Sequence, residues 1–171
     1  MGLALDSVGM WDATAGLPEQ VAEASSSCVI EHADGLPAHD DIENVVVLGM
    51  GGSGIAGDVL TVTAGPFMPV PIVVHKGYSI PNFIDEHTLF FAISFSGNTE
   101  ETLEAAAEAA MAGGRMVAIS HGGELQELAA EWNAPHIPLA DGIPMPRAGI
   151  GAVAAPPMVV LEQMGLFRGA S

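Results

Sequence analysis

Short, continuous apolar runs alternate along the chain with segments of helical composition. The runs are Asn44 to Leu48 (NVVVL), Pro71 to Val74 (PIVV), Thr88 to Ile93 (TLFFAI) and Arg115 to Ile119 (RMVAI), with a weaker fifth at Pro135 to Leu139. They are continuous rather than alternating, as strands buried on both faces should be. Between them lie Gly54 to Ala64, then Glu100 to Ala112, an Ala/Glu-rich stretch of high helix propensity, and Glu124 to Trp132. Strands and helices in this alternation predict a parallel α/β sheet. A leading helix is expected within Leu17 to Ala33. The last segment, Gly149 to Gly165, spaces Val153, Val160, Leu161 and Met164 as a helix docked on the sheet would. Pro156 and Pro157 interrupt it, and because proline breaks a helix ladder except in the first turn, the expected start is near Pro156.

Composition narrows the picture. No internal repeat, low-complexity tract or linker divides the 171 residues, so one domain over 1–171 is expected, with its core at about 44–166 behind an N-terminal helix. With 49% hydrophobic and 15% charged residues the chain is no disordered acidic tail. Only 4 Lys and Arg stand against 21 Asp and Glu, a net charge of −17, which excludes binding to nucleic acid or an anionic membrane through a general basic field. A single cysteine, Cys28, excludes an internal disulfide framework, and no Cys/His spacing suggests a metal site; a cytoplasmic protein without metal or cofactor is expected. Met1 to Trp11 carries Asp6 and no Lys or Arg, unlike a signal peptide, and the uncharged-looking stretch Ala148 to Leu161 is shorter than the ~18–20 residues of a membrane span.

Two loops carry the chemistry. The first run leads into Gly49-Met50-Gly51-Gly52-Ser53-Gly54-Ile55-Ala56-Gly57-Asp58, a G-x-G-x-x-G at Gly49, Gly51 and Gly54 between a strand and a helix, where bare backbone N–H groups meet a ligand. A dinucleotide fold would need an acidic residue after the second strand, where His75 and Lys76 stand instead; Lys76 leaves a 2′-phosphate open, and a tight turn without ligand is the plainer alternative. The third run leads into Ser94-Phe95-Ser96-Gly97-Asn98-Thr99-Glu100-Glu101-Thr102. Hydroxyls at Ser94, Ser96 and Thr99 around a glycine, just before a strong helix, compose an anion cradle in which hydroxyls, N–H groups and the helix dipole bind a phosphate without lysine. Asn98 or Thr99 is expected to cap that helix as well, which leaves two hydroxyls for another purpose. In a doubly wound sheet the ends of the first and third strands are neighbours, so both loops would face one crevice.

With both loops in place the chain resembles a SIS (sugar isomerase) domain, and more narrowly the N-terminal half of the bifunctional phosphoglucose/phosphomannose isomerases. The two loop strings above and Pro146-Arg147-Ala148 carry the resemblance, which spans roughly Asn44 to Leu166. It implies a single SIS domain with a flavodoxin-like three-layer αβα sandwich and a five-stranded parallel sheet. It further implies that Ser94, Ser96 and Thr99 bind a sugar phosphate and that Gly52 and Ser53 contact the sugar. Arg147 would stabilise the cis-enediol(ate) of aldose–ketose isomerisation among glucose 6-phosphate, fructose 6-phosphate and mannose 6-phosphate. A fixed guanidinium beside a developing oxyanion suits that role; pairing with one of the 21 acids is the plain alternative.

Members of the family continue into a second SIS domain that supplies the general-base glutamate and the histidine for ring opening. The second domain is expected to be absent here, and the base cannot be assigned from this sequence. Glu100, Glu101 and His121 are the candidates within the chain, although they read more simply as first-turn helix charges and a loop residue. His32, His39, His75, His87 and His136 read as ordinary loop or surface histidines, and Asp58 as a brace for the glycine loop. The partner expected is a phosphorylated sugar, with a homodimer covering the apolar segment around Met158 to Leu161. The alternative function is a non-catalytic SIS module that binds a phosphosugar.

Overall fold

The computed structural model describes residues 6–166. Five strands, β1 (Asn44–Gly49), β2 (Ile72–His75), β3 (Thr88–Ile93), β4 (Arg115–Ser120) and β5 (His136–Pro138), form one parallel sheet in the order β2-β1-β3-β4-β5. All five apolar runs are strands, and the order is that of a flavodoxin-like doubly wound fold with its switch between β1 and β3.

Alternate side chains of the strands feed two cores. Val45, Val47, Leu89, Phe91 and Ile93 face one side and pack with helices α3 (Gly51–Thr63) and α6 (Ile150–Gln163) through Ala56, Leu60, Val153 and Leu161. Val46, Leu48, Phe90 and Ala92 face the other and meet α4 (Glu100–Met111) and α5 (Gly123–Glu131) through Ala105, Ala106, Ala109 and Leu125. Phe90 and Phe91 are both fully buried, one in each core. Each such side chain contributes about 1.5–3 kcal/mol on burial, and their opposite placement fixes the pleat of the strand between the helix layers. On the α3 side the layer is extended by α1 (Met10–Ala15) and α2 (Leu17–Ser26), the latter packed on α6. The leading helix is therefore shorter than the Leu17–Ala33 window.

Two helix starts depart from expectation. Helix α3 begins at Gly51 rather than Gly54, so its opening turn is made of the glycine loop itself. Gly57 then lets it close on the sheet: a Cβ there would sit 2.9 Å from the Val47 side chain. The last helix begins at Ile150, not near Pro156, and carries Pro156 and Pro157 in its interior. Each proline removes an N–H donor at a cost of about 3 kcal/mol in an exposed helix. Here the helix is gripped on two sides, by α2 and α3, and Gly151 to Pro157 are all buried. Apolar burial along that length outweighs the missing bonds.

Candidate functional site

The paired register of β1 and β3 runs from Asn44 opposite Thr88 to Gly49 opposite Ile93, so the two predicted loops leave the sheet side by side. A hydrogen bond joins them: the N–H of Phe95 donates to Ser53 Oγ at 3.3 Å. Ser53 is buried at the start of α3, and its hydroxyl ties the glycine loop to the serine loop.

Within the serine loop the three hydroxyls have different situations. Ser94 is 1% exposed, and its Oγ accepts the N–H of Gly97 at 3.1 Å and of Thr99 at 3.4 Å while lying 2.8 Å from Thr99 Oγ1. It organises the loop from inside. Ser96 is exposed; its hydroxyl accepts the N–H of Asn98 at 3.2 Å, and its carbonyl accepts Asn98 Nδ2 at 3.2 Å. Thr99 stands at the N-cap of α4, yet no side chain caps that helix. The expected cap by Asn98 or Thr99 is thus corrected. Thr99 turns its hydroxyl to Ser94, and Asn98 Oδ1 instead accepts the N–H of Glu124 in the first turn of α5. No side chain caps α3 either. Two helix N-termini therefore open onto one crevice with their first-turn N–H groups uncapped by side chains, which is where a dianion is best placed.

Gly97 holds the cradle's shape. Its φ is +75°, and a Cβ would lie 1.7 Å from the carbonyl oxygen of Gly122, so no other residue fits. The N–H of Leu125 donates to Gly97 O, and the N–H of His121 to Phe95 O, so the β4–α5 loop underpins the cradle.

Arg147 lies on a 3-10 turn, Pro146–Ala148, between β5 and α6. The Pro146 carbonyl oxygen is 3.5 Å from the position of a Cβ on Gly52, so this turn leans on the glycine loop. The next residue, Gly149, sits against the Phe95 ring, at 2.7 Å from its Cβ position. The structure thus gathers Gly52, Ser53, Ser94, Ser96, Thr99 and the turn of Arg147 around one crevice. Arg147 is exposed and, among the described residues, forms no ion pair, so the alternative of a salt-bridged surface arginine is not what the structure shows. Lys76 is paired, 2.7 Å from Asp58, and its aliphatic stem fills the space beside Gly54. The lysine that a 2′-phosphate would need is committed to Asp58, which is how Asp58 braces the loop. Arg168, the remaining cation besides Arg115, lies outside the described residues.

The candidate bases differ in fate. His121 packs edge-on to Phe95 and has Nδ1 3.1 Å from Phe95 O and Nε2 2.7 Å from Ala140 O, so both ring nitrogens face carbonyl acceptors. Glu100 and Glu101 are first-turn residues of α4. Their charge is felt by Tyr78, whose phenol is pushed up from its ordinary range by Glu100 first and then Glu101. Two histidines were misread from sequence: His75 is no loop residue but ends β2, half-buried, with its Nε2 buried. His136 is no surface residue: it is 2% exposed in β5, hydrogen-bonded on both nitrogens, to Glu31 and Ser120. Its place inside an apolar run was the available signal. Two cavities lie away from the crevice, one of about 620 Å³ at the opposite end of β4 beside Arg115 and Trp132, the other of about 180 Å³ beside Cys28.

The doubly wound sheet with this serine loop at the switch point defines a sugar-isomerase-type domain. The chain belongs to the SIS domain family, whose model matches residues 41–132. It is 34% identical over 159 residues, 93% of its length, to a bifunctional phosphoglucose/phosphomannose isomerase of Caldicellulosiruptor bescii. Over 66% of its length it is 42% identical to a protein of the same name from Thermoplasma acidophilum. Among solved structures, tagatose-6-phosphate ketose/aldose isomerase from Escherichia coli superposes with a TM-score of 0.72 over 97% of this chain and 50% of that one, at 14% identity, a likeness of fold. The chain spans less than half of these curated relatives, 46% and 34% of their lengths.

Proposed function

We propose that this SIS domain binds the phosphate of a six-carbon sugar phosphate in the loop of Ser94, Ser96 and Thr99, with Ser94 acting through the loop's shape, and takes part in aldose–ketose isomerisation through a cis-enediol. Glucose 6-phosphate, fructose 6-phosphate and mannose 6-phosphate are the substrates. The carrying observation is the junction of the two loops, where the Ser53–Phe95 hydrogen bond ties the starts of α3 and α4, both without side-chain caps, beside an exposed Ser96. At a net charge of −17 the protein repels a dianion at long range, so binding rests on local N–H groups and hydroxyls.

In this reading Ser96 and Thr99 donate to the phosphate while Ser94 shapes the loop. Gly52 offers a backbone approach, and Ser53 holds the two loops in register. Arg147, which forms no ion pair among the described residues, stabilises the negative charge that develops as the enediolate forms. Proton transfer between C1 and C2 needs a base. Both nitrogens of His121 are turned to carbonyls, and with Glu100 and Glu101 read as first-turn helix charges, the base in this reading is supplied by a second SIS domain or a second copy of the chain. The domain is therefore read as one half of a paired unit, a homodimer in the cytoplasm if the partner is another copy.

The test joins calorimetric binding of fructose 6-phosphate to an assay that detects glucose 6-phosphate. Turnover lost in Arg147→Ala with binding retained supports isomerisation. Binding without turnover in the unaltered chain assigns a phosphosugar-binding module instead. Unchanged affinity in Ser96→Ala combined with Thr99→Ala sinks the cradle assignment.

A further inference from the structure

The SIS reading leaves a buried polar network unused. His136 Nδ1 is 2.9 Å from Glu31 Oε2, and His136 Nε2 is 3.0 Å from Ser120 Oγ. Ser120, fully buried at the end of β4, has its hydroxyl 2.8 Å from the Gly122 carbonyl oxygen and accepts the N–H of Gly122 at 3.1 Å. An acid, an imidazole and a hydroxyl thus stand in line. Burial of Ser120 keeps it from attacking any substrate, so the line is not nucleophilic machinery.

Hydrogen counting shows what the line does. Ser120 has one hydroxyl hydrogen, and at 2.8 Å the Gly122 carbonyl is its shorter acceptor. Donation there requires an N–H on His136 Nε2, and because a neutral imidazole carries one N–H, the Nδ1 contact with the Glu31 carboxylate is a second N–H···O bond only in the imidazolium form. In that form His136 donates outward to Glu31 and inward to Ser120, and Ser120 passes its own hydrogen to the Gly122 carbonyl, so every member is satisfied. That carbonyl is the atom on which Gly97 rests. Glu31 is itself pinned to β5 by two backbone bonds, Glu31 N–H to His136 O at 2.8 Å and His136 N–H to Glu31 O at 3.1 Å. Glu31 and His136 both lie outside the residues matched by the family model, 41–132, so the segments flanking that match reach into the cradle.

We propose that Glu31, His136 and Ser120 are positioning residues for the phosphate-binding loop: they fix the Gly122 carbonyl on which Gly97 rests, and so hold Ser94 to Thr99 in the binding shape. The role as a ligand-binding device rests on the phosphosugar reading above. Its geometric core, the hold on Gly97, does not.

The experiment measures amide hydrogen exchange at Gly97 and Thr99 and, in parallel, calorimetric affinity for fructose 6-phosphate. Ser120→Ala is compared with the unaltered chain, with Ser120→Thr as the variant that restores a hydroxyl. Ser120→Ala is expected to speed exchange at Gly97 and Thr99 and to weaken affinity, each by roughly tenfold, the loss of about one buried hydrogen bond. Amides of Val46 and Phe90 in the sheet stay at their original rates, and Ser120→Thr recovers most of both losses. Glu31→Gln, which keeps the side chain's size and an oxygen for His136 Nδ1, moves the same two readouts in the same direction by a smaller factor. Exchange at Gly97 unchanged in Ser120→Ala and Glu31→Gln, or accelerated equally throughout the sheet, overturns the proposal whatever the ligand. Faster local exchange in a protein that does not bind fructose 6-phosphate keeps the hold on Gly97, overturns its role in binding that sugar, and rejects the substrate reading.

Discussion

The hydroxyl of Ser53, in the first turn of α3, accepts the backbone N–H of Phe95, 42 positions further along the chain. This one bond makes the glycine loop after β1 and the serine loop after β3 parts of the same crevice, and Phe95 in turn carries His121 edge-on at 4.4 Å and contacts Gly149 ahead of α6.

Ser53→Ala leaves the Phe95 N–H without its acceptor in a half-buried place. The expected cost is about 1 kcal/mol of stability by denaturant titration, together with weaker fructose 6-phosphate binding by calorimetry. Stability and affinity both unchanged would remove Ser53 from its joining role.

Gly97→Ala is far harsher. The added methyl would overlap the Gly122 carbonyl, at 1.7 Å, on a backbone with φ of +75°. A loss of about 3 kcal/mol or more is expected from strain and displacement of the loop, with sugar-phosphate binding abolished. Thermal unfolding and calorimetry on the same sample read both.

Gln20 holds the turn of Arg147. Its Nε2 donates to Ala148 O at 2.9 Å and to Ala13 O at 3.0 Å, joining α1, α2 and the 3-10 turn. Gln20→Leu should lower kcat in the isomerase assay several-fold while leaving KM for fructose 6-phosphate near its original value, because the phosphate cradle is untouched. A rise in KM alone would show that Gln20 acts on binding instead.

Tyr78 is the chain's only tyrosine, which makes its titration readable by ultraviolet absorbance. Negative charge at Glu100, Glu101 and Glu104 disfavours the phenolate, so its midpoint lies above that of free tyrosine. The raised folded-state value means the neutral phenol is favoured by folding; this contribution is present below the unfolded pKa and is lost as pH rises through the folded one. A phosphate dianion in the adjacent cradle should push the midpoint higher still, and added salt should draw it back toward the free value. A midpoint unmoved by fructose 6-phosphate would place that anion elsewhere.

At the other end of the chain, the Asp6 carboxyl is held below the usual carboxylate range by the N–H groups of Trp11 and then Met10, which it accepts at 2.9 and 2.8 Å. A depressed folded pKa means that this support for α1 is complete above the unfolded value and is lost as pH falls through the folded one. Helix α1 is therefore expected to fray first on acidification, and Asp6→Asn to remove that acid-sensitive step from the fluorescence of Trp11. A transition that persists in Asp6→Asn would assign it to another group.

The sheet was legible because continuous apolar runs such as Val45 to Leu48 have only one economical use, a strand buried between two helix layers. The crevice was legible too, since glycine and hydroxyl residues at strand ends carry their chemistry in local sequence. What local sequence does not hold is who meets whom. Whether Asn98 caps its own helix or the next one depended on the approach of Glu124, and whether His136 is wet or buried depended on Glu31 closing over β5. The proline pair was readable only as a helix breaker, because the compensation, burial of α6 between α2 and α3, is made by residues far away in the chain. The five strands, the excess of acidic residues and the glycine and serine loops at the strand ends were all readable from short-range periodicity and residue chemistry. That the turn carrying Arg147 leans on Gly52 through the Pro146 carbonyl, and that Gly97 rests on Gly122, are contacts between segments brought together by packing of the whole sheet, and short-range sequence does not hold them.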